Sequence, residues 1–386
     1  MRRTGACAAL IASLLTGCGS STSSTPGADT PPRVERCPKS LITRMPGQDY
    51  SSLRWQRPMV SYQLAGCLIR EDQVAGAPGT EPWWDPMDFY VYEAPGATSN
   101  PDPMMVVYLH GTSQTPIEAH LGIGWHELAD REGIIVVSPH GRDPNNDNWE
   151  WGEATAFGRV GQLESVSQIT TAMQELYGIG PDRTFIAGTS SGAISATMMA
   201  AMYVELYSGV MSVIGGSYNL SDPDGTQAYM AMGDKARVMP AFLIHATADH
   251  LFPQNQSREA DTQWAGTNDR ADNGAADGSI SQTAEIDDTH MNLEPQKEPA
   301  EDECLSRQDN NPCPSYELGY ETYPYQIHRY RDESGAGKTI VEAWYLQFMA
   351  HNYPYGNPEG NFTDPAGPDV TTAGYLFFRN ILATRD

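Results

Sequence analysis

From residue 88 onward the chain alternates between two hydrophobic periods. Short and nearly continuous apolar runs stand at 88–92, 104–109, 134–138, 184–187, 210–214, 241–245 and 340–348. Runs of this length predict strands, and the most continuous of them predict strands buried on both faces. Between the strands the apolar positions recur every three or four residues. Leu163, Val166, Ile169, Met173 and Leu176 predict an amphipathic helix. A second helix is expected over 117–131, and a third, rich in Ala and Met, over 193–204. Strands alternating with helices predict an α/β fold with a mostly parallel sheet, its site at the carboxyl ends of the strands. After Asp249 the pattern changes. Residues 254–337 carry Asp, Asn, Glu and Gln throughout and read as a long polar insertion before the last strand.

The chain before residue 86 has a different character. Arg2 and Arg3 precede a short apolar run, and Leu15-Thr16-Gly17-Cys18 follows. The run is too short to span a bilayer. Its ending resembles a bacterial lipobox, which implies a signal peptide over 1–17 and a lipid on Cys18; an ordinary cleaved signal is the alternative. Several acyl chains on one cysteine anchor a protein stably. Residues 18–36, rich in Ser, Thr, Pro and Gly, read as a flexible tether. Residues 37–85 read as an N-terminal extension, and 86–386 as the α/β domain. Export agrees with the remaining cysteines. Cys37, Cys67, Cys304 and Cys313 allow three pairings, and Cys37–Cys67 with Cys304–Cys313 is favoured because each pair lies within its own irregular segment. A metal site is the alternative, but no CxxC or clustered His accompanies them.

Charge narrows the partners. The chain has 24 Lys and Arg against 49 Asp and Glu, a formal charge of −25. Losing Arg2 and Arg3 with residues 1–17 leaves it more acidic still. Such a surface repels nucleic acid and anionic membrane, so contact with a membrane is expected only through a lipid anchor.

The chemistry centres on Gly188-Thr189-Ser190-Ser191-Gly192, set between a strand and a run of small residues. This is the pattern of a nucleophile elbow, in which a tight strand-to-helix turn lifts a serine hydroxyl clear of the sheet. Ser191 follows the nucleophile, so its backbone N–H is a candidate oxyanion donor. The strand at 104–109 ends in His110-Gly111-Thr112, a candidate oxyanion loop. The second donor is placed at Thr112, with Gly111 the close rival, and His110 is read as structural. Asp249 lies just past the strand at 241–245, where a carboxylate can orient an imidazole. Asp261, Asp287 and Asp288 are rivals without a strand before them. His351 lies in the loop after the last strand, where this architecture delivers its base. His245, His290 and His328 are less well placed.

These residues resemble, in order, the extracellular depolymerases of the poly(3-hydroxybutyrate) type with the related feruloyl and acetylxylan esterases. The resemblance rests on 106–111, Leu128-Ala129-Asp130-Arg131, Asn148-Trp149-Glu150-Trp151, 182–193, 244–249 and 362–369. It implies an α/β-hydrolase fold with Ser190 as nucleophile, Asp249 as acid and His351 as base, acting without metal or organic cofactor. Two departures bear on the substrate. Thr112 stands where the depolymerases often carry cysteine, and Asn352-Tyr353-Pro354-Tyr355-Gly356 replaces a loop that usually carries Trp and paired Gly. Trp149, Trp151, Tyr353 and Tyr355 are candidates to line the cleft, with core packing as the alternative. The expected activity is a serine ester hydrolase on short-acyl esters, most simply a polyester, with feruloyl or acetylxylan esters as the alternative. A competing reading is a hydrolase fold reduced to a surface binding module.

Overall fold

The structure is a computed structural model that describes residues 42–45, 59–65, 84–94, 96–101, 103–141, 148–149, 159–252, 254–291, 322–333, 337–358 and 360–384. Cys18, Cys37, Cys67, Cys304, Cys313 and Trp151 lie outside the described residues, and so do the lipidation and disulfide expectations. No helix among the described residues is long and apolar enough to cross a membrane.

The strands are β1 (Ile42–Arg44), β2 (Val60–Leu64), β3 (Met87–Glu93), β4 (Met105–Leu109), β5 (Ile135–Pro139), β6 (Thr184–Thr189), β7 (Val210–Val213), β8 (Ala241–Ala246), β9 (Glu285–Asp287), β10 (Tyr325–Arg331), β11 (Thr339–Leu346), β12 (Tyr353–Pro354) and β13 (Thr363–Asp364). The first eleven form one sheet in the order β1-β2-β3-β5-β4-β6-β7-β8-β11-β10-β9, while β12 and β13 pair apart from it. From β5 to β11 the neighbours run parallel, and antiparallel strands finish both edges. Every residue of β4, β6 and β8 is buried, as continuous apolar runs in a covered parallel sheet require. Among the described residues N-terminal to 86, β1 and β2 extend the sheet edge beside β3.

The helices are α1 (Pro116–Gly122), α2 (Trp125–Glu132), α3 (Gly161–Tyr177), α4 (Ser191–Met202), α5 (Thr226–Met232), α6 (Gln254–Asn273) and α7 (Val370–Ala383). The single helix expected over 117–131 is two. Thr115 and Glu118 form a reciprocal cap that starts α1 with Pro116 at its first position. Gly124, at φ 73°, then breaks the chain before α2. The helix α4 is buried along its whole length, which explains its all-round Ala and Met composition. In α7, Phe378 stacks on Phe185 of β6 with centroids 4.2 Å apart, so the C-terminal helix braces the strand that carries the elbow.

The polar insertion expected over 254–337 is corrected by α6, β9 and β10. Trp264 is fully buried, and α6 packs on β8 and β11. Its buried face also holds polar side chains, which hid its amphipathic period. Asp261, Asn268 and Asp269 each find partners. Asn268 accepts from the Met239 N–H and donates to the Met239 carbonyl. Asp269 accepts from the N–H groups of Gly278 and Ile280. Asp261 holds His245 Nε2 at 2.7 Å and the Tyr345 hydroxyl at 2.6 Å. This second buried His–Asp pair removes Asp261 and His245 from the candidate site. Asp287, on the edge strand β9, pairs with Arg329 at 3.2 Å, and Asp288 accepts from Gln326 at 2.7 Å.

Candidate active site

The turn from β6 into α4 is built by its glycines. A Cβ on Gly188 would stand 2.2 Å from the Gly192 carbonyl oxygen, and one on Gly192 would stand 2.2 Å from the Leu109 oxygen. No larger residue fits either place. Between them Ser190 sits at φ 56°, ψ −121°, outside the regions that L-residues favour, which fits the strained turn of a nucleophile elbow. Its N–H donates to the Val213 carbonyl at 3.0 Å, which fixes the turn to β7.

The structure brings Ser190, His351 and Asp249 together across 161 residues of sequence. His351 Nε2 lies 2.8 Å from Ser190 Oγ, and His351 Nδ1 lies 2.7 Å from Asp249 Oδ2. The other carboxylate oxygen of Asp249 accepts from the N–H groups of Leu251 and Phe252 at 2.8 and 3.0 Å. Those two bonds leave Oδ2 aimed at the imidazole. The loops that carry the acid and the base are laced to each other. The Thr247 N–H donates to the Leu346 carbonyl, the Ala248 N–H to the Met349 carbonyl, and the Phe348 N–H to the Thr247 hydroxyl. Phe252 covers the His351 ring at 5.6 Å. Asp249 and His351 are both nearly buried, so the pair works where charge interactions are stronger than in water.

The candidate oxyanion loop, His110 to Gln114, is held from three sides. His110 is fully buried, and its Nε2 accepts from the Gly141 N–H at 3.1 Å, which puts its proton on Nδ1, facing the Gly111 carbonyl at 2.8 Å. It is structural, as expected. Gln114 accepts from the Gly111 N–H at 2.9 Å and donates to the Asn361 carbonyl at 3.0 Å. The Gly111 N–H is thus committed to Gln114. The Thr112 hydroxyl lies 2.9 Å from Asn148 Oδ1 and 3.0 Å from Ser191 Oγ. The Ser191 N–H stands in the first turn of α4, where helical N–H groups have no intrahelical partner.

These groups open on a cavity of about 420 Å³. Of the expected aromatic lining, the three described residues, Trp149, Tyr353 and Tyr355, do not border this cavity. Trp149 is buried and donates its indole N–H to the His110 carbonyl at 2.8 Å, so it supports the oxyanion loop from behind. Tyr353 is buried with its hydroxyl 2.6 Å from Thr371 Oγ1, because β12 points it into the core. Tyr355 is exposed but borders a different hollow, beside α2. Ile214, His250, Leu251 and Phe362 line the cavity instead. Leu251 and Phe362 are each about half exposed, and they border an apolar space. Proximity in sequence to Asp249 could have suggested Leu251; nothing local distinguishes Ile214 or Phe362. Among the described residues no cluster of His, Cys, Asp and Glu is arranged to hold a metal.

Residues 87–256 match the family model described as Esterase PHB depolymerase. The chain is 25% identical over 253 residues to poly(3-hydroxyalkanoate) depolymerase C of Paucimonas lemoignei, covering 65% of this chain and 55% of that protein. It is 25% identical over 205 residues to acetylxylan esterase A of Aspergillus oryzae, covering 46% of this chain and 65% of that protein. These matches span between half and two thirds of the relatives' own lengths. Among solved structures, an acetyl xylan esterase from Aspergillus awamori superposes with a TM-score of 0.51 at 17% identity, over 76% of this chain and 94% of that one. That likeness concerns the fold, which is the α/β-hydrolase fold.

Proposed function

We propose, for a chain whose residues 87–256 belong to the esterase PHB depolymerase family, a serine carboxylic-ester hydrolase that acts on short-acyl esters of an external polymer. The observation that carries this reading is the continuous relay Asp249–His351–Ser190 at 2.7 and 2.8 Å, facing an open cavity. His351 Nε2 takes the Ser190 proton as Oγ attacks the ester carbonyl carbon. The carbonyl oxygen becomes an oxyanion held by the N–H groups of Thr112 and Ser191. Asp249 holds the proton on Nδ1 and stabilises the imidazolium. Collapse of the tetrahedral intermediate breaks the C–O bond, and His351 returns the proton to the leaving alcohol. Water then repeats the sequence on the acyl-enzyme and frees the acid. No step calls for a metal or an organic cofactor.

The substrate we favour is an aliphatic polyester, because the cavity wall of Leu251, Ile214 and Phe362 suits an alkyl acid better than a flat aromatic one. The acetylxylan esterases among the relatives support a second reading, deacetylation of a plant polysaccharide. The chain is exported and held at the cell surface by lipid on Cys18. The test is hydrolysis of p-nitrophenyl butyrate, followed by soluble acid released from a poly(3-hydroxybutyrate) film and acetate released from acetylated xylan. Acid from the film supports the first reading, and acetate alone supports the second. No turnover of any of the three refutes both.

A further inference from the structure

Backbone strain is concentrated at the cavity. Of the eight non-glycine residues at positive φ among the described residues, Ser113, Ser190, Ile214 and Phe362 all line it. Strained residues persist where the surrounding structure enforces them, and such places cluster at functional sites. For Ser190 the strain follows from the elbow. Ile214 has no such reason. It lies at φ 47°, where a β-branched residue is an outlier because its Cβ substituents crowd the backbone. Glycine would take the same conformation freely, and Gly215 and Gly216 follow at once.

The position is defined closely. The Ile214 N–H donates to the Ile244 carbonyl at 2.8 Å, and the Val213 carbonyl accepts the Ser190 N–H at 3.0 Å. The residue is thus pinned beside the nucleophile on the β7 flank. The oxyanion loop follows β4, which borders β6 on its opposite edge. A group esterified to Ser190 with its carbonyl oxygen turned to Thr112 and Ser191 therefore shares the remaining space with the Ile214 side chain. That side chain is 2% exposed, so it fills the wall rather than projecting into water.

We infer that Ile214 is a specificity-determining residue: its side chain, held in the cavity by a conformation that disfavours it, closes the space for the acyl group on Ser190 and confines turnover to short chains. The inference rests on the ester-hydrolase reading and deepens it by naming what limits the acyl part. The experiment is a kcat/KM profile on p-nitrophenyl esters from C2 to C12 for the native chain, Ile214→Val, Ile214→Ala and Ile214→Gly. A methylene that moves from water into a buried place is worth roughly a factor of four. Removing most of the side chain admits about two more, so the C8-to-C4 ratio rises about tenfold or more in Ile214→Ala. Ile214→Val moves it in the same direction by less, and it keeps the test alive should the larger truncations fold poorly. Ile214→Gly relieves the backbone, so it melts no lower than Ile214→Ala despite its smaller side chain. A C8-to-C4 ratio unchanged in both Val and Ala variants, with C4 turnover intact, overturns the inference alone. A native chain inactive on every ester overturns the hydrolase reading beneath it.

Discussion

Gln114 does two jobs at once, and removing it should reveal how the oxyanion loop is held. Its side chain is 5% exposed; Oε1 accepts the Gly111 N–H at 2.9 Å, and Nε2 donates to the Asn361 carbonyl at 3.0 Å. Asn361 precedes Phe362 on the cavity wall, so one amide ties the oxyanion loop to the substrate wall. Gln114→Ala leaves a buried N–H and a carbonyl without partners, at about 1–3 kcal/mol for the buried group. It also frees Gly111 and Thr112 to move. Complete loss of one oxyanion donor costs roughly 10²–10³ in kcat. Misplacement of a donor that is still present should cost less, so kcat on p-nitrophenyl butyrate falls by about 10–100-fold with little change in KM. Gln114→Glu is the informative partner. An ionised carboxylate still accepts from Gly111 but turns an acceptor toward the Asn361 carbonyl, where a donor is needed. It should keep more kcat than Ala while loosening the 361–362 loop. Steady-state kinetics with a thermal melt for each variant make the assay. A kcat for Gln114→Ala within twofold of the native chain would refute the claim that this amide positions the loop.

Asp249→Asn should lower kcat by about 10⁴, as in the serine-protease case. Its carbonyl oxygen can satisfy Leu251 and Phe252, which turns the NH₂ toward His351 Nδ1 and drives the ring proton to Nε2, so the base cannot act; activity within tenfold of native would contradict this. His120 is fully enclosed, and burial, with His126 beside it, holds its pKa well below the usual histidine value. The folded state thus resists protonating it while the unfolded chain takes the proton near pH 6.5, so stability is present above that pH and is lost as pH falls below it. His120→Phe should therefore show a smaller drop in melting temperature between pH 7.5 and 5.0 than the native chain; an equal drop would exclude His120 as a source of acid sensitivity. Cys18→Ser should release the protein from the membrane fraction or block its processing, and native protein found wholly soluble outside the cell would refute the anchor.

The strands and the site were legible in the sequence to different depths. Buried parallel strands write themselves as apolar runs, so β4, β6 and β8 could be placed within a residue or two. Ser190, Asp249 and His351 were readable because each follows a strand in a fixed chain order, and the geometry brings them within hydrogen-bond reach. The helix α6 was not readable, because Asp261, Asn268 and Asp269 are buried by hydrogen bonds that composition cannot reveal. The aromatic residues failed for a related reason. Tyr353 and Trp149 have polar tips, and a tip satisfied inside the fold looks in sequence like one offered to a ligand. Ile214 and Gln114 carry no motif at all; their importance comes from a positive φ and from two bonds to loops distant in the chain.

The central claim is that Ser190 is a nucleophile activated by His351. Its most direct test is intact-mass analysis after reaction with a fluorophosphonate. One adduct per chain is expected, located by peptide mapping at Ser190, prevented in Ser190→Ala and strongly slowed in His351→Ala. An unlabelled native chain, or an adduct that persists in Ser190→Ala, would contradict it.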